Sequence, residues 1–206
     1  MENFKTQQEN FWAGEFGNEY IARNMSPELL ASNIAFFSKI INHTIQVNSI
    51  LEFGANIGLN LNALKALLPN AESSAIEINK NAVTILKSNI NKGKIYHQSI
   101  LDFKVDYQRD FVFTKGVLIH LNPDVLDKVY ELLYESSRKY ICIAEYYNPS
   151  PVSIIYRGNE GYLFKRDFAG ELMSKYPSLQ LVDYGFAYHG DNNFKSDDIT
   201  WFLLSK

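Results

Sequence analysis

The sequence predicts an α/β domain built on a doubly wound sheet of seven strands, the last antiparallel, with helices on both faces. Three observations predict it. The chain has 206 residues, 46% of them hydrophobic and 21% charged, the length and composition of one globular domain with little left for a second. Short apolar runs alternate with segments of helical periodicity, as in right-handed βαβ units around a parallel sheet. A glycine-bearing turn follows the first of those runs, where open α/β sheets bind ligands.

The elements follow in order. Ser26-Pro27-Glu28 opens a helix with a capping serine and a proline at its first position, and Leu29, Leu30, Ile34, Phe37, Ile40 and Ile41 recur at helical spacing. Ser49 to Phe53 is the first strand, and a helix from about Gly58 to Leu68 ends at Pro69-Asn70. Ser74 to Ile78 is the second strand. Asn79 caps the next helix, which carries Val83, Leu86 and Ile90 and stops before Gly93. Ile95 to Gln98 and Phe111 to Thr114 are the third and fourth strands. Asn122-Pro123-Asp124 starts a helix bearing Val125, Leu126, Val129, Leu132 and Leu133, and Tyr140 to Glu145 is the fifth strand.

The C-terminal part departs from this alternation. A helix is expected from about Phe164 to Tyr176, then a strand from Leu179 to Ala187, a polar loop, and a closing strand from Ile199 to Leu204. The loop leaves no room for a helix, so the last two strands are antiparallel neighbours. No internal repeat, low-complexity tract or linker interrupts the chain, which reads as one unit over 1–206.

Charge and cysteine usage narrow the function classes. The formal net charge is −3, which argues against a nucleic-acid coat protein because phosphate binding needs a basic stripe. The lone Cys142 lies in the apolar run Tyr140 to Ala144 and reads as a core residue, in keeping with a reducing compartment. Met1 to Asn10 is polar and has no apolar signal core. No run approaches the length of a membrane span, so a cytoplasmic protein is expected. His43, His97, His120, His189 and Cys142 stand far apart and form no recognisable ligand pair, and no metal is expected.

The first strand runs into Glu52-Phe53-Gly54-Ala55-Asn56-Ile57-Gly58. Glycines here permit positive φ and close approach of backbone to ligand, and Asn56 is tolerable where a third glycine would sit. Glu77 ends the second strand roughly twenty residues after Gly54, the spacing of an acid that accepts two ribose hydroxyls. The competing reading of Glu77 is a solvated strand-end carboxylate. A nicotinamide site wants a third glycine where Leu59 stands, and Glu52 is a poor neighbour for a pyrophosphate. An acid beside the turn suits the amino group and sulfonium of S-adenosylmethionine.

At these residues the chain resembles a family. Leu51 to Gly58 looks like motif I of the class I S-adenosylmethionine-dependent methyltransferases, and Glu77 like their ribose acid. The resemblance implies a Rossmann-like core over 46–206 behind an N-terminal helical lid over 1–45. It places adenine beside Ile78 and Ser99-Ile100-Leu101-Asp102. Asp110 to Leu121 matches the fourth-strand motif, bringing Lys115 and Gly116 to the cofactor with Glu52, Gly54, Asn56, Gly58 and Glu77. S-adenosylhomocysteine would be the product. The closer resemblance is to methylases associated with pseudaminic acid biosynthesis, carried by Trp12 to Asn24, by Glu145 to Pro149 and by Phe164 to Phe168. It implies an acceptor that is a nonulosonic sugar, its precursor or a derived glycan.

Methyl transfer is an in-line displacement helped by positioning in a dry site. His120 follows the fourth strand on the crevice side and is the candidate base, against a reading as a packed structural histidine. Glu145 ends the fifth strand at the same crevice as a second catalytic candidate, and Tyr146, Tyr147 and Asn148 follow it as acceptor contacts. Arg157, Lys165 and Arg166 could receive a carboxylate or phosphate, with ordinary surface charge as the alternative. Trp12, Phe16 and Tyr20 form either a lid, with Arg23 reaching inward, or a plain amphipathic helix. His189 and Asp191 are further acceptor candidates. The expected partner is a small sugar or nucleotide-sugar. The rival readings are a nicotinamide-dependent oxidoreductase and a non-catalytic cofactor-binding protein of the same fold.

Overall fold

A computed structural model describes residues 4–90 and 92–206; the first three residues of the polar N-terminal stretch, and Asn91, lie outside the described residues. The core strands are β1 (Ser49–Phe53), β2 (Glu72–Glu77), β3 (Ile95–His97), β4 (Arg109–Lys115) and β5 (Ser137–Glu145). Strands β8 (Gln180–Ala187) and β9 (Ile199–Ser205) complete a seven-stranded sheet of order β3-β2-β1-β4-β5-β9-β8. The first five pair in parallel, while β9 is antiparallel to both β5 and β8. Strand order reverses between β1 and β4, so a crevice opens at their carboxyl ends.

The side-chain period of a strand decides the layers. Leu51, Phe53, Val112, Ile141 and Ile143 pack on one face with Leu118, Val129, Leu133, Phe168 and Leu172. Their alternates Ile50, Phe111, Phe113, Cys142 and Ala144 pack on the other with Phe36, Phe37, Ile40, Leu61, Leu64 and Leu86. The first layer therefore holds α6 (Leu126–Ser136) and α7 (Phe168–Lys175), and the second α3 (Pro27–Ile41), α4 (Leu59–Leu67) and α5 (Lys80–Asn89). Buried on both faces, the central strands read as continuous apolar runs.

The expected caps form. Ser26 Oγ accepts from Leu29 N at 3.2 Å and Pro27 opens α3, while Asn79 Oδ1 accepts from Asn81 N and Ala82 N ahead of α5. Asn122-Pro123 starts a 3-10 turn over Pro123–Val125 before α6 begins. The N-terminal aromatics sit on two helices, α1 (Gln7–Ala13) and α2 (Glu15–Ala22), broken at Gly14.

The connection after β5 corrects the sequence reading. Helix was expected from Phe164, but β6 (Val152–Tyr156) and β7 (Asn159–Lys165) form an antiparallel hairpin, and α7 starts only at Phe168. Arg157 at φ 49° and Gly158 at φ 83° make its turn, the left-handed pair that hairpin loops need. Asp167 Oδ1 accepts from Gly170 N at 2.8 Å and fixes the later helix start.

Candidate active site

The turn after β1 carries the site. Gly54 at φ 74°, Asn56 at φ 49° and Gly58 at φ 84° place three left-handed residues in five. A Cβ on Gly54 would lie 2.7 Å from Val117 Cγ2, and one on Gly58 2.5 Å from Leu86 Cδ1. Neither position admits a side chain without moving its neighbour. The turn, the ends of β2 and β3 and the loop after β4 enclose one cavity, roofed by α1 and α2. Of the residues expected at the cofactor, Gly54, Asn56, Glu77, Ile78, Ser99, Ile100, Leu101, Lys115 and Gly116 line it, whereas Glu52 and Gly58 do not.

Two acids bracket the turn. Glu77 accepts from Asn56 N and from Asn79 N, each at 2.7 Å, one bond per oxygen. A lone pair remains on each oxygen, the pattern that receives a vicinal diol. Burial raises its pKa. Glu52 lies fully buried beneath the cavity wall, with Oε1 accepting from Asn60 Nδ2 at 2.7 Å and Oε2 without a partner. Burial pushes its carboxyl up to about 8, against the Asn60 bond and the Lys115 charge. An orphaned buried acceptor asks for a donor or a cation. Half-buried Lys115 lines the cavity, and burial lowers its pKa. A buried acid behind the wall and a cavity-lining lysine are complementary in charge to the amino and carboxylate ends of a zwitterionic amino-acid moiety.

The loop after β4 presents His120, which lines the cavity at 8% exposure. Its Nδ1 lies 2.7 Å from the Tyr162 carbonyl on β7. A carbonyl only accepts, so Nδ1 carries the proton and Nε2 keeps its lone pair. Burial pulls the pKa down to about 4, so the ring is neutral at physiological pH. Trp12 and Tyr156 flank it with ring centroids at 4.7 and 4.8 Å.

Glu145 is placed differently from the sequence expectation. It does not line the cavity; its Oε1 accepts from Thr114 Oγ1, Val117 N and Leu118 N, each at 3.1 Å, and Oε2 from Ile119 N. Burial still holds its pKa up at about 7. The carboxylate thus builds the turn that carries His120 and touches no open space.

The acceptor candidates divide. Tyr20 lines the cavity, and Trp12 with it; Trp12 stacks edge-on against Phe16 and Tyr20. Tyr146 stands close by, facing Asp197. Arg23 lies exposed over the Phe16 and Tyr20 rings, each at 5.4 Å. Tyr147 is exposed, Asn148 Nδ2 donates to the Ser150 carbonyl, and Arg157 occupies the hairpin turn. Arg166 Nε is bound to Glu171 at 2.7 Å, in a separate groove by α7. Exposed His189 pairs with Asp198 at 2.9 Å, and Asp191 accepts from Asn193 N and Phe194 N. None of these last seven lines the cavity.

Other residues of the site went unread in the sequence. Glu9 accepts from Lys5 N and Thr6 N and from the Ser99 hydroxyl, tying α1 to the end of β3. The spacing Thr6-x-x-Glu9 is a capping box and was a usable signal. Gln8 Nε2 donates to the Gly161 carbonyl at 2.8 Å, leaving Oε1 buried and unpartnered at the cavity. Trp12 Nε1 is buried and unpartnered as well. Asp197, in the β8–β9 loop, bears electrostatically on Tyr20, Lys115, His120 and Tyr146.

No family model matches the chain. An uncharacterised protein of Rickettsia prowazekii is 28% identical over 95 residues, which are 43% of this chain and 38% of that relative's length. Among solved structures, an S-adenosylmethionine-dependent methyltransferase from Leishmania major superposes with a TM-score of 0.75 at 14% identity, over 96% of this chain and 81% of its own. The magnesium protoporphyrin IX methyltransferase of Synechocystis PCC 6803, with bound S-adenosylhomocysteine, gives 0.69 at 11% identity, over 98% and 100% of the two chains. A glycopeptide N-methyltransferase complexed with sinefungin gives 0.62 at 10% identity, over 84% and 93%. The chain has the Rossmann-like fold of the class I S-adenosylmethionine-dependent methyltransferases.

Proposed function

We propose that this protein transfers the methyl group of S-adenosylmethionine to a small, sugar-related acceptor. The observation that carries the cofactor is the pair of buried acids around the left-handed turn, above all the unpartnered Oε2 of Glu52. When bound, the cofactor supplies an electrophilic methyl group on a sulfonium. Glu77 would hold the ribose, Ser99 to Leu101 would border the adenine, and Lys115, with the unpartnered Glu52 Oε2 behind the wall, would hold the methionine end. Neutral His120 is the base, and Glu145 positions it through the turn over Val117 to Ile119. Residues 1–45 would supply the lid through α1 and α2. The sugar acceptor, in nonulosonic acid or surface-glycan synthesis, rests on the resemblance of Trp12 to Asn24 and Glu145 to Pro149, and suits a cytoplasmic enzyme. No helix among the described residues is long and apolar enough to cross a membrane.

Thermal unfolding with S-adenosylmethionine, S-adenosylhomocysteine and NAD tests the cofactor. A ligand at 100 times its Kd adds about 2.7 kcal/mol, a midpoint shift of roughly 5–10 °C for a chain of this length. The expected result is a shift with the two adenosyl ligands alone, lost in Glu77→Ala. A shift with NAD alone selects the oxidoreductase reading. A loss of turnover in His120→Ala with cofactor affinity intact is expected if the imidazole is the base; unaltered turnover overturns that role.

A further inference from the structure

The β6–β7 hairpin bridges two parts of the site, the helical roof and His120. Its rings touch both. Tyr156 lies 4.8 Å from His120 and 5.8 Å from Phe16 of α2, and Tyr162 lies 4.4 Å from Phe11 of α1, centroid to centroid. Its backbone holds both as well. The Gly161 carbonyl accepts from Gln8 Nε2 of α1 at 2.8 Å, and the next carbonyl, of Tyr162, accepts from Nδ1 of His120 at 2.7 Å.

These two carbonyls serve side chains because β7 bulges. The ladder passes from the Tyr156–Asn159 pair to the Ile154–Leu163 pair, which sets one residue of β6 opposite three of β7. Gly161 is the middle one of the three, at φ 77°. A Cβ there would meet nothing within 4 Å, so glycine serves the path of the backbone and not a close approach. Bulges leave residues out of the ladder and re-aim what they carry.

We propose that Gly161 is a positioning residue: its bulge aims both carbonyls at once, so that seating α1 on the hairpin and fixing the proton on Nδ1 of His120 are one event. This rests on the methyl-transfer reading for the use made of the Nε2 lone pair. Which ring nitrogen of a neutral imidazole carries the proton is set by the hydrogen bond that its surroundings accept. Turning the Tyr162 carbonyl away lets the proton move to Nε2, which then has no lone pair to offer. The Gly161 carbonyl, one peptide away, turns with it and releases Gln8. Such coupling is reciprocal, so loosening either contact weakens the other by the same factor.

Two readouts on the full chain without ligand test this. Nitrogen NMR of isotope-labelled histidines reports the His120 tautomer, with His120→Phe identifying its signal, and hydrogen exchange reports the seating of Gln7–Ala13. Gly161→Ala should shift His120 from the Nδ1–H towards the Nε2–H tautomer and speed exchange of α1 about tenfold. Gly161→Asn, which tolerates the left-handed region, should restore both. Gly158→Ala is strained alike, at φ 83° with open space around its Cβ, but lies outside the bulge and should change neither. Two variants leave the bulge intact and test reciprocity. Gln8→Met should shift the tautomer, and His120→Phe should speed α1 exchange about tenfold. A tautomer unmoved in Gly161→Ala or in Gln8→Met, or shifted as far in Gly158→Ala, overturns the proposal, as does α1 exchange unchanged in His120→Phe. Calorimetric titration of the parent chain with S-adenosylhomocysteine reports the cofactor reading by itself. No binding there overturns that reading and leaves the coupling to be decided by the tautomer and the exchange.

Discussion

Glu52 is the residue at which fold and site pull in opposite directions. β1 buries it completely, yet Oε2 finds no donor. Burial raises its pKa above the ordinary value of 4.5 to about 8, so the folded chain holds this proton more tightly than the unfolded chain. Its contribution to stability is therefore full below about pH 4.5 and is lost as pH climbs through 8. The loss at high pH has an upper bound of about 5 kcal/mol, and relaxation around a buried carboxylate leaves about 1–2 kcal/mol of it. Glu52→Gln keeps the acceptor for Asn60 and removes the titration. It should melt above the parent at pH 8 and with it at pH 5, and bind S-adenosylmethionine about tenfold more weakly. Equal melting at both pH values would show that the carboxyl titrates like an exposed one. Glu52, Gly54 and Glu77 were legible in the sequence because strand, turn and strand end lie in local order. Asp197 was not, since only the antiparallel return of β9 along β5 brings its loop across the sheet to His120.

At the scale of elements, the loop after β4 depends on a carboxylate from a neighbouring strand. Glu145 accepts from three successive backbone N–H groups and the Thr114 hydroxyl. Removing it leaves those donors buried and unpaired, at a cost of about 2–3 kcal/mol. Glu145→Ala should therefore lower the melting midpoint by roughly 5–10 °C and reduce turnover more than S-adenosylhomocysteine affinity, because the turn carries His120 and not Glu77. Parallel melting curves and calorimetric titrations check both, and a variant that melts and turns over like the parent would show that the turn holds its shape without Glu145. The sequence could suggest the crevice end of β5 but not which way its carboxylate turns. The β6–β7 hairpin escaped for a related reason. Its turn rests on Arg157 at positive φ, a conformation a non-glycine residue adopts only where the tertiary fold enforces it.

Across the whole molecule, stability is divided unevenly between the sheet and its roof. Two large clusters on the two faces of the sheet enclose most of the buried apolar side chains, including those of α3, α4, α6 and α7 and Leu86 of α5. The roof joins the rest of the molecule through the small cluster of Ile21, Ile57 and Ala82, through polar ties of Gln8, Glu9, Trp12 and Asn18, and through ring contacts of Phe11, Trp12 and Phe16 with Tyr162, His120 and Tyr156. Only Gln8, Glu9, Gly17 and Ile21 are buried in these two helices, and segments held mainly by polar and half-buried contacts open at lower free energy than the global transition. In the free protein the amides of α1 and α2 should exchange first, while β1, β4 and β5 exchange only on global unfolding. The cavity takes walls from both roof and core, so saturating S-adenosylhomocysteine should slow exchange in α1 and α2 more than in any central strand. Glu9→Ala removes the tie to Ser99, and should speed exchange of Gln7–Ala13 and weaken the ligand about tenfold, with the melting midpoint of the free protein nearly unchanged. Uniform protection on ligand binding, or a free-protein midpoint that falls as far as in Glu145→Ala, would mean that the roof folds with the sheet as one cooperative unit and does not close over it.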